Sequence, residues 1–523
     1  MRFTEIGESY DLVVIGGGIT GAGILREAVR AGLRTLLVER RDFAWGTSSR
    51  SSKLVHGGLR YLKEGKIFLT MDSVRERVRL IHDAPGLVEP LGFLWPSYKG
   101  KSPGKNTLGL GLMLYDLMTG RRQHKFFPAT DFFRIAPHVN PQNLIGGFQF
   151  EDAQVDDARL VLRLIFEARA RGGAAVGYAE AVGIERNQNR EVVGITLRDT
   201  ETGQTKTVAT RGIVNATGFW AETLHPSPVS GLHLRPLRGS HLVFPFWRLP
   251  LGQAVSFTHP DDRRPIFAIP WEGATILGTT DLDHHQDANN EPAIEAEEAD
   301  YLLKGAQGMF PELNLRMDDC VSTWAGVRPV LSSGPKDPSK ESREHVVWVD
   351  KGLVTITGGK LTTFRLLALD ALKAVSPFLT KMLRLKTNEP VFAPPICAPT
   401  LPSGLTPMAW RRLSGRYGSA AQQLLSGSVP GDFELVPGTN TMFAEIRHAA
   451  ATEDIRHLAD LLLRRVRVGF LLAGGGMEHM DRIREICAPV LPWDAATWDA
   501  EIALFKQTWN AAYCPPMKKE CGK

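Results

Sequence analysis

The first forty residues alternate apolar and polar stretches in the order of a strand, a helix and a second strand. Asp11–Ile15 is an apolar run that ends in three glycines, as a buried parallel strand does. Thr20–Ala31 has helical character, and Gly32 is a residue suited to ending a helix. Thr35–Val38 is a second apolar run. The pattern predicts a βαβ unit.

Runs of strand length recur through the middle of the chain. Further strands are predicted at Val192–Leu197, Thr205–Ala209, Gly212–Asn215 and Leu353–Thr357. Between Gly239 and Gly278, Pro and Gly divide short apolar runs, which predicts a mixed or antiparallel sheet on the substrate side. Helices are predicted from Asp156 to Arg171 and from Leu361 to about Val375.

The carboxy-terminal part has a different pattern. A Pro-rich stretch from Pro390 to Pro402 is typical of a linker. From Met408 onward the chain is mostly helical in pattern, with a long amphipathic stretch around Phe443–Phe470. We therefore predict a first region over residues 1–389 and a helical accessory domain over residues 390–523.

Composition narrows the class of protein. The 523 residues carry a formal charge of +5, and no long Lys/Arg run accompanies it, so we expect no nucleic-acid binding. The mild positive balance suits an anionic substrate or membrane surface. Five scattered cysteines show no metal-ligand spacing, so we predict no metal site and a reducing, cytosol-facing compartment. No run of about 18 apolar residues is present, so no segment is expected to span a bilayer.

The residues between the first strand and helix form a dinucleotide fingerprint. Gly16, Gly18 and Gly21 have the G-x-G-x-x-G spacing, which permits a tight turn, backbone approach to a pyrophosphate and close helix packing. The helix N-terminus offers N–H groups to the phosphates. Glu39 ends the second strand and is placed to bind ribose hydroxyls.

A polar run follows the fingerprint, GTSSRSSKLVHGGLRYL over residues 46–62, and it has too few apolar residues to be mainly core. We interpret it as a loop that carries polar groups to the reactive end of a flavin, with an anionic substrate beyond. Its first half is expected to line the cofactor through Thr47, Ser48, Ser52, Lys53 and Leu54. Its second half, from His56 to Tyr61, is expected to face the substrate.

Two further turns follow predicted strands. The turn with Ala216 and Gly218 is expected to lie against the dinucleotide, although a glycine after a strand is usually only a turn. The turn with Gly359, Leu361 and Thr362 opens a helix, whose N–H groups suit a flavin ring or a phosphate; an ordinary helix cap is the alternative.

Four side chains are candidates for binding an anion. Arginine binds phosphate through paired, charge-assisted hydrogen bonds, although a single arginine is more often a surface residue. The candidates are Arg60, Tyr61, Arg328 and Lys360. His56 and His241 are candidate general bases, with a hydrogen-bonded structural histidine as the alternative for each.

Gly109–Met118 is apolar and follows a basic stretch, so it is either an interfacial membrane segment or a buried helix.

Seven motifs in order resemble one known family, the FAD-dependent, quinone-reducing glycerol-3-phosphate dehydrogenases of respiration. They are VVIGGGITGAGILREA, GTSSRSSKLVHGGLRYL, EDAQVDDARL, RGSHLVFP, IPWEGATILGTTDLD, WAGVRPVL and GGKLTTFR. The resemblance is dense over residues 9–375 and looser through HAAATEDIRHLADLLLRRVRVG. This chain departs from it at Phe219 and Phe364, which removes no charged group.

The resemblance implies an α/β fold. A Rossmann-like FAD-binding domain would be interleaved with a mixed-sheet, amino-acid-oxidase-like substrate domain over roughly 75–150 and 230–330, and a C-terminal helical domain would follow. It implies oxidation of glycerol 3-phosphate, electron transfer to a membrane quinone, and peripheral attachment to the cytoplasmic face of the inner membrane. A homodimer is compatible with it. Arg60, Tyr61, Arg328 and Lys360 would bind substrate, Arg328 and Lys360 would also act in catalysis, and His241 is preferred over His56 as the base.

Two other functions remain open at this point. One is an oxidase that reduces oxygen while oxidising the same substrate or an amine; an amine substrate would have no need of the arginine pair. The other is a non-catalytic flavin-binding protein associated with a membrane. The presence of Arg60, His241, Arg328 and Lys360 argues against the second.

Overall fold

The computed structural model describes residues 1–58, 65–101, 104–121, 123–225, 233–332, 344–394 and 400–516. Three sheets and a carboxy-terminal group of helices make up this part of the chain. The predicted architecture of a nucleotide-binding α/β sheet, a mixed substrate sheet and terminal helices is confirmed.

The first sheet, here named the nucleotide sheet, contains the predicted βαβ unit. Its six strands lie in the order His345–Asp350, Leu353–Gly358, Ile213–Asn215, Leu12–Ile15, Thr35–Val38 and Ala174–Val176. All neighbours are parallel except the first pair. Three helices join one apolar core with this sheet: Ile19–Arg30, Asp157–Arg169 and Phe364–Val375. These helices cover one face, and all residues of Leu12–Ile15 and Thr35–Val38 are buried, which agrees with their continuous apolar runs.

A small antiparallel sheet covers the opposite face. Its strands are Ala179–Arg186, Val192–Asp199 and Thr205–Ala209. Ile195, Leu197 and Val208 pack with Val13 and Leu36 of the nucleotide sheet.

The second domain is built on a ten-stranded sheet, here named the large sheet. Its main path runs through Leu282–Asp283, His233–Pro245, Ala274–Gly278, Pro265–Trp271, Ala254–Thr258, Val88–Tyr98, Leu144–Val155 and Leu54–Val55. Ser322–Ser332 pairs with His233–Pro245, and Lys125–Pro128 pairs with Leu144–Val155. Because one pair within it is parallel and the rest antiparallel, the sheet is mixed, as predicted.

Helices surround the large sheet. They are Ile67–Asp83, Lys105–Thr119, Ala129–Ile135 and Ala296–Met309, whereas the short helix Ala221–Leu224 contacts strand Leu353–Gly358 of the nucleotide sheet. Leu302 and Ala306 of the last helix pack on Leu242 and Ala268 of one sheet face. The other face, including Ile276, joins an apolar core with the carboxy-terminal helices.

The carboxy-terminal helices are Pro407–Tyr417, Ala420–Gly427, Phe443–Thr452, Val468–Leu471, Met480–Cys487 and Ala495–Ala512. The stretch from Phe443 to Phe470 is broken, because its first helix ends at Thr452 and a π-helical segment, Asp460–Arg465, follows. Arg467 then adopts a φ of 65°. The predicted amphipathic stretch is therefore not one continuous helix, and three of its arginines, Arg464, Arg465 and Arg467, are buried in ion pairs.

The start of the predicted linker is packed, because Val391 and Phe392 are buried and the Val391 N–H donates to the Asp83 carboxylate at 2.7 Å. In the described part of the chain, no helix combines the length and apolarity needed to cross a bilayer.

Candidate functional site

The glycine turn at the start of the nucleotide sheet has little space for side chains. Gly16 has a φ of +110°, and a Cβ there would lie 2.6 Å from the Ala216 carbonyl oxygen. A Cβ on Gly21 would lie 1.9 Å from the Gly16 carbonyl oxygen. The turn and the helix that begins at Ile19 therefore approach one another as the dinucleotide fingerprint requires.

Glu39 lies beside this turn, at the end of its strand. Its carboxylate accepts the N–H of Gly17 at 2.7 Å and that of Arg41 at 2.9 Å. Burial raises the pKa of Glu39, and these two hydrogen bonds act in the opposite direction. A carboxylate held at the mouth of a glycine turn fits the ribose hydroxyls of a dinucleotide.

The segment Gly46–Lys53, here named the hydroxyl loop, bridges the two domains. Ser48 Oγ accepts the N–H of Ile19 at 2.9 Å, at the start of the nucleotide-binding helix. Thr47 Oγ1 donates to the Val327 carbonyl of the large sheet. The loop therefore places hydroxyls at the helix N-terminus, where the helix favours anions such as a pyrophosphate.

The two other predicted turns meet at the same edge of the nucleotide sheet. The N–H of Ala216 donates to the Ile15 carbonyl at 2.9 Å. Thr357 Oγ1 donates to the Gly218 carbonyl at 2.8 Å, which links this turn to the strand that leads into Gly359. Because parallel strands end on one edge, segments far apart in sequence converge around the fingerprint.

His241 lies in the middle of strand His233–Pro245 and is 1% exposed. Its ring stacks on Trp324, with 4.8 Å between ring centroids and 16° between planes. Its Nε2 lies 2.8 Å from Ser52 Oγ of the hydroxyl loop, and its Nδ1 has no hydrogen-bond partner in the described part of the chain. Burial, together with the positive charges of Arg328 and Lys53, holds the pKa of His241 well below its ordinary value. The ring is therefore a neutral imidazole at physiological pH.

Arg328 lies in the neighbouring strand, Ser322–Ser332. Its guanidinium packs on Gly239, where a Cβ would lie 2.2 Å from Nη2. It donates to Asp281 Oδ1 at 3.1 Å and to Thr279 Oγ1 at 3.1 Å, and its side chain is 23% exposed. An anion that reaches Arg328 therefore either shares the guanidinium with Asp281 or displaces it.

His56 and Lys360 belong to a second cluster. Thr362 Oγ1 donates to the His56 carbonyl at 3.3 Å, and Lys360 Nζ donates to Ser73 Oγ at 3.1 Å. Leu361, which lies between Lys360 and Thr362 in the sequence, packs against the core of the nucleotide domain.

Residue 57, next to His56, is anchored by a buried polar network. The N–H of Gly57 donates to Tyr115 Oη at 3.0 Å and to Asp152 Oδ1 at 3.2 Å. Arg77 forms an ion pair with Asp152 at 2.7 Å. The segment is therefore fixed against the helices Ile67–Asp83 and Lys105–Thr119, while Arg60 and Tyr61 lie outside the described residues.

Two predicted cofactor residues have side chains engaged elsewhere. Lys53 is fully buried, and its Nζ donates to the Ser49 carbonyl at 2.6 Å and to Asp157 at 2.9 Å. Burial and the nearby Arg467 lower the pKa of Lys53 to about 7. Leu54 pairs with Gln154 and packs in the core of the large sheet. Any contact of these two residues with the cofactor would therefore come from their backbone.

Sequence reasoning missed the residues that support the loop and His241. Asp157, Arg467 and Phe470 are buried around Lys53 and Trp324. One signal was present: three arginines interrupt the apolar run LLLRRVRVGF, and arginines among buried apolar residues need acidic partners from elsewhere in the fold.

Comparison with known proteins gives the same picture over nearly the whole chain. Residues 11–365 match the FAD dependent oxidoreductase family, and residues 368–498 match the C-terminal domain of alpha-glycerophosphate oxidase. The junction between the two matches lies within helix Phe364–Val375. It therefore precedes the predicted boundary at 389.

Individual relatives are similar in sequence and in structure. The aerobic glycerol-3-phosphate dehydrogenase of Staphylococcus aureus (strain MRSA252) is 33% identical, with 94% of this chain and 93% of the relative covered. The structure of glycerol-3-phosphate dehydrogenase from Bacillus halodurans complexed with FAD has a TM-score of 0.74 and 29% identity, and covers 97% of this chain and 95% of that one.

A more distant structure, L-alpha-glycerophosphate oxidase from Mycoplasma pneumoniae with FAD bound, is alike in fold only. It has a TM-score of 0.58 and 17% identity, and covers 74% of this chain and 99% of that one. The fingerprint turn, the hydroxyl loop and the full-length similarity agree, and the cofactor is FAD. This chain belongs to the family of FAD-dependent glycerol-3-phosphate dehydrogenases.

Proposed function

We propose that this protein oxidises sn-glycerol 3-phosphate at C2 to dihydroxyacetone phosphate and passes the electrons through FAD to a membrane quinone. The observation that carries the proposal is the meeting of His241, Arg328 and the hydroxyl loop. The buried His241 ring is neutral and lies near the positive charge of Arg328. Ser52 of the hydroxyl loop forms a hydrogen bond with the same ring. A base suited to take a hydroxyl proton, beside a cation suited to bind a phosphate, fits a substrate that is a phosphorylated alcohol.

His241 is the proposed general base. A buried polar atom without a partner is uncommon in folded proteins, so Nδ1 is the nitrogen to which we assign the C2 hydroxyl. Ser52 Oγ then accepts a hydrogen bond from Nε2–H and fixes the ring in the tautomer whose Nδ1 carries the lone pair. The hydroxyl proton passes to Nδ1 as the alcohol becomes a ketone. FAD supplies the hydride acceptor for C2 when it is bound.

Arg328 is the proposed phosphate ligand. Its bond to Asp281 orients the guanidinium, and its partial exposure leaves it reachable from solvent. Arg60 and Tyr61 remain predicted substrate ligands. Lys360 brings a second positive charge to the glycine turn at Gly359, where we assign to it the stabilisation of negative charge on the substrate oxygen or the flavin ring.

An anaerobic titration of the purified holoenzyme tests the reaction. We expect sn-glycerol 3-phosphate to bleach the flavin absorption band at about one equivalent per FAD, with dihydroxyacetone phosphate as the product. Glycerol, which lacks the phosphate, is the matched control and should bleach it far more slowly. An unbleached flavin at saturating sn-glycerol 3-phosphate would contradict the proposal and favour the non-catalytic alternative.

The electron acceptor requires a separate measurement, because the carboxy-terminal region matches a domain described from an oxidase. Reduced enzyme is mixed with air-saturated buffer or with a soluble quinone analogue. We expect reoxidation by the quinone to be at least tenfold faster, with little hydrogen peroxide. Rapid, stoichiometric peroxide formation would instead assign the protein as an oxidase.

We further propose peripheral contact with the cytoplasmic face of the inner membrane through the helix Lys105–Thr119. Its exposed apolar residues have helical spacing and form one face: Leu110, Met113, Leu114 and Leu117. Phe68, on the neighbouring helix, is 84% exposed. Lys101 and Lys105 are exposed nearby and would meet anionic headgroups.

Sedimentation with vesicles of phosphatidylethanolamine and phosphatidylglycerol tests this contact. Leu117→Glu is expected to reduce the bound fraction at least fivefold, because it puts a carboxylate on the apolar face. Met408→Glu is the matched control, since Met408 is an exposed apolar residue of the carboxy-terminal region, and it should bind normally. Equal binding by both variants would exclude this helix as the contact.

A further inference from the structure

Arg467 links the carboxy-terminal region to the main chain of the hydroxyl loop. Arg467 is 1% exposed and lies between the segments Asp460–Arg465 and Val468–Leu471. One of its terminal nitrogens donates both to the Ser49 carbonyl, at 2.9 Å, and to Asp157. The other donates to the Leu463 carbonyl at 2.7 Å. A single guanidinium therefore joins the terminal helices to the main chain of the hydroxyl loop.

Asp157, which Arg467 contacts, also binds two further residues of the hydroxyl loop. Its carboxylate accepts the N–H of Ser51 at 2.9 Å and the hydroxyl of Ser51 at 2.7 Å. It also accepts both bonds from Lys53, at 2.9 and 3.0 Å. Every second residue from Ser49 to Lys53 is thus attached to Asp157 or Arg467, which leaves Ser52 directed towards His241.

Two arginines of the terminal region belong to this cluster of charges. Asp156 lies 3.3 Å from Arg467 Nε and 2.9 Å from Arg416. Arg416 also lies in the terminal region, and all these groups are almost fully buried. Removing one partner from a buried network leaves an uncompensated charge, so the loop geometry depends on residues more than 350 positions away in sequence.

The terminal region also lies behind the candidate base. Phe470 packs on Trp324 with 5.1 Å between ring centroids, and Trp324 in turn stacks on His241. The Tyr513 carbonyl accepts the N–H of Thr323 at 2.8 Å. The Trp324 ring, on which His241 stacks, is thus packed against the terminal helices.

We propose that Arg467 is a positioning residue and that the carboxy-terminal region serves to fix the hydroxyl loop for FAD and for His241. Arg467 holds the Ser49 carbonyl and Asp157, these hold Ser51 and Lys53, and the loop then presents Thr47 and Ser48 to the cofactor and Ser52 to the imidazole. The part of this inference that concerns the rate of flavin reduction rests on the proposed function, whereas the part that concerns FAD binding and loop order does not.

The test uses full-length holoenzyme with three substitutions. Arg467→Gln removes the charge and the shared donor, and Arg467→Lys keeps the charge but loses the planar fork. Arg482→Gln is the matched control, because Arg482 is a partly exposed arginine of the same region, ion-paired with its helical neighbour Glu485 and lying over the Phe443 ring. Four quantities are measured: thermal stability, FAD dissociation constant, hydrogen exchange of the peptide covering residues 46–53, and the dependence of the flavin reduction rate on substrate concentration.

We expect Arg467→Gln to raise the FAD dissociation constant at least tenfold and to accelerate hydrogen exchange selectively in residues 46–53. The maximal rate of flavin reduction per bound FAD should fall at least tenfold, with less than a threefold change in the substrate concentration for half-maximal rate. Arg467→Lys should lie between this variant and wild type, and Arg482→Gln should match wild type in all four measurements.

A purely structural role predicts a different result. If folded Arg467→Gln loses thermal stability but keeps wild-type FAD affinity, loop exchange and reduction rate, the inference is overturned. If Arg467→Gln does not fold, the same comparison with Arg467→Lys decides. Should wild-type flavin itself resist reduction by sn-glycerol 3-phosphate, the proposed function fails, while FAD affinity and loop exchange still test the role of Arg467.

Discussion

The nucleotide turn and the His241 cluster, although joined by one loop, are built in different ways. The turn is made from residues 16–39, and its geometry depends on backbone approach: the carbonyls of Ala216 and Gly16 occupy the space where Cβ atoms would lie. The His241 cluster is made of side chains from distant segments, including Ser52, Trp324 and Arg328.

The nucleotide turn and the His241 cluster are therefore sensitive to different substitutions. A turn that depends on missing side chains tolerates almost no substitution at its close approaches. A cluster that depends on burial and charge is sensitive to the removal of any neighbouring ion, including ions from the carboxy-terminal region. The predictions below separate the two, beginning with the largest effect.

Gly21→Ala should break the nucleotide turn and leave the His241 cluster in place. Its Cβ would lie 1.9 Å from the Gly16 carbonyl oxygen, so the helix or the turn must move. We expect FAD affinity to fall at least 100-fold, measured by titration of the apoprotein with FAD. Gly308→Ala, at a helical position with nothing within 4 Å, is the control and should bind FAD normally. Tight FAD binding by Gly21→Ala would show that the turn is less constrained than its geometry indicates.

His241→Asn should leave FAD binding intact and slow the chemistry. Loss of a general base typically costs a factor of 10² to 10⁴, and we expect a reduction of that order in the rate of flavin reduction, measured by stopped-flow absorbance. His56→Asn is the comparison, with an expected loss of less than tenfold. The reverse ranking would move the role of the base to the cluster of His56 and Lys360.

Arg328→Ala should act on substrate binding and on the transition state together. Loss of a charge-assisted phosphate contact predicts a fall in kcat/KM of roughly 100- to 1000-fold, or about 3–4 kcal/mol. Steady-state kinetics with sn-glycerol 3-phosphate measure it. Arg134→Ala, at an exposed surface arginine, should have wild-type kinetics. Unchanged kinetics in Arg328→Ala would remove Arg328 from the site.

The smallest effect is the contribution of His241 to the pH dependence of stability. The folded-state pKa of His241 lies well below the unfolded value of 6.5, because the charged ring is buried beside Arg328 and Lys53. The unfolded chain therefore binds more protons below about pH 6.5, and stability falls as pH decreases through that range. We expect urea unfolding of wild type to lose more stability than His241→Gln between pH 7 and pH 5.5. Parallel losses would show that His241 does not titrate in this way.

Much of the fold follows from local patterns in the sequence. The strands at Thr35–Val38 and Thr205–Ala209 have the predicted bounds, and the predicted helix from Asp156 begins at Asp157, with the Asp156 carboxylate capping it. These elements are determined by short apolar runs, capping residues and glycines, which act over a few positions. The break in the amphipathic stretch around Phe443–Phe470 was not predicted, because apolar periodicity does not show that Arg465 and Arg467 pair with Asp42 and Asp157.

The nucleotide turn, the cofactor class and the candidate groups His241 and Arg328 could be predicted from the sequence, since each depends on residue type and local spacing. Which of the candidates lie in contact became evident from the folded chain. It brings Ser52 to His241, commits the Lys53 side chain to Asp157, and places Arg467 behind the loop. The physical reason is that burial and ion pairing are properties of neighbours in space, which the order of residues along the chain does not specify.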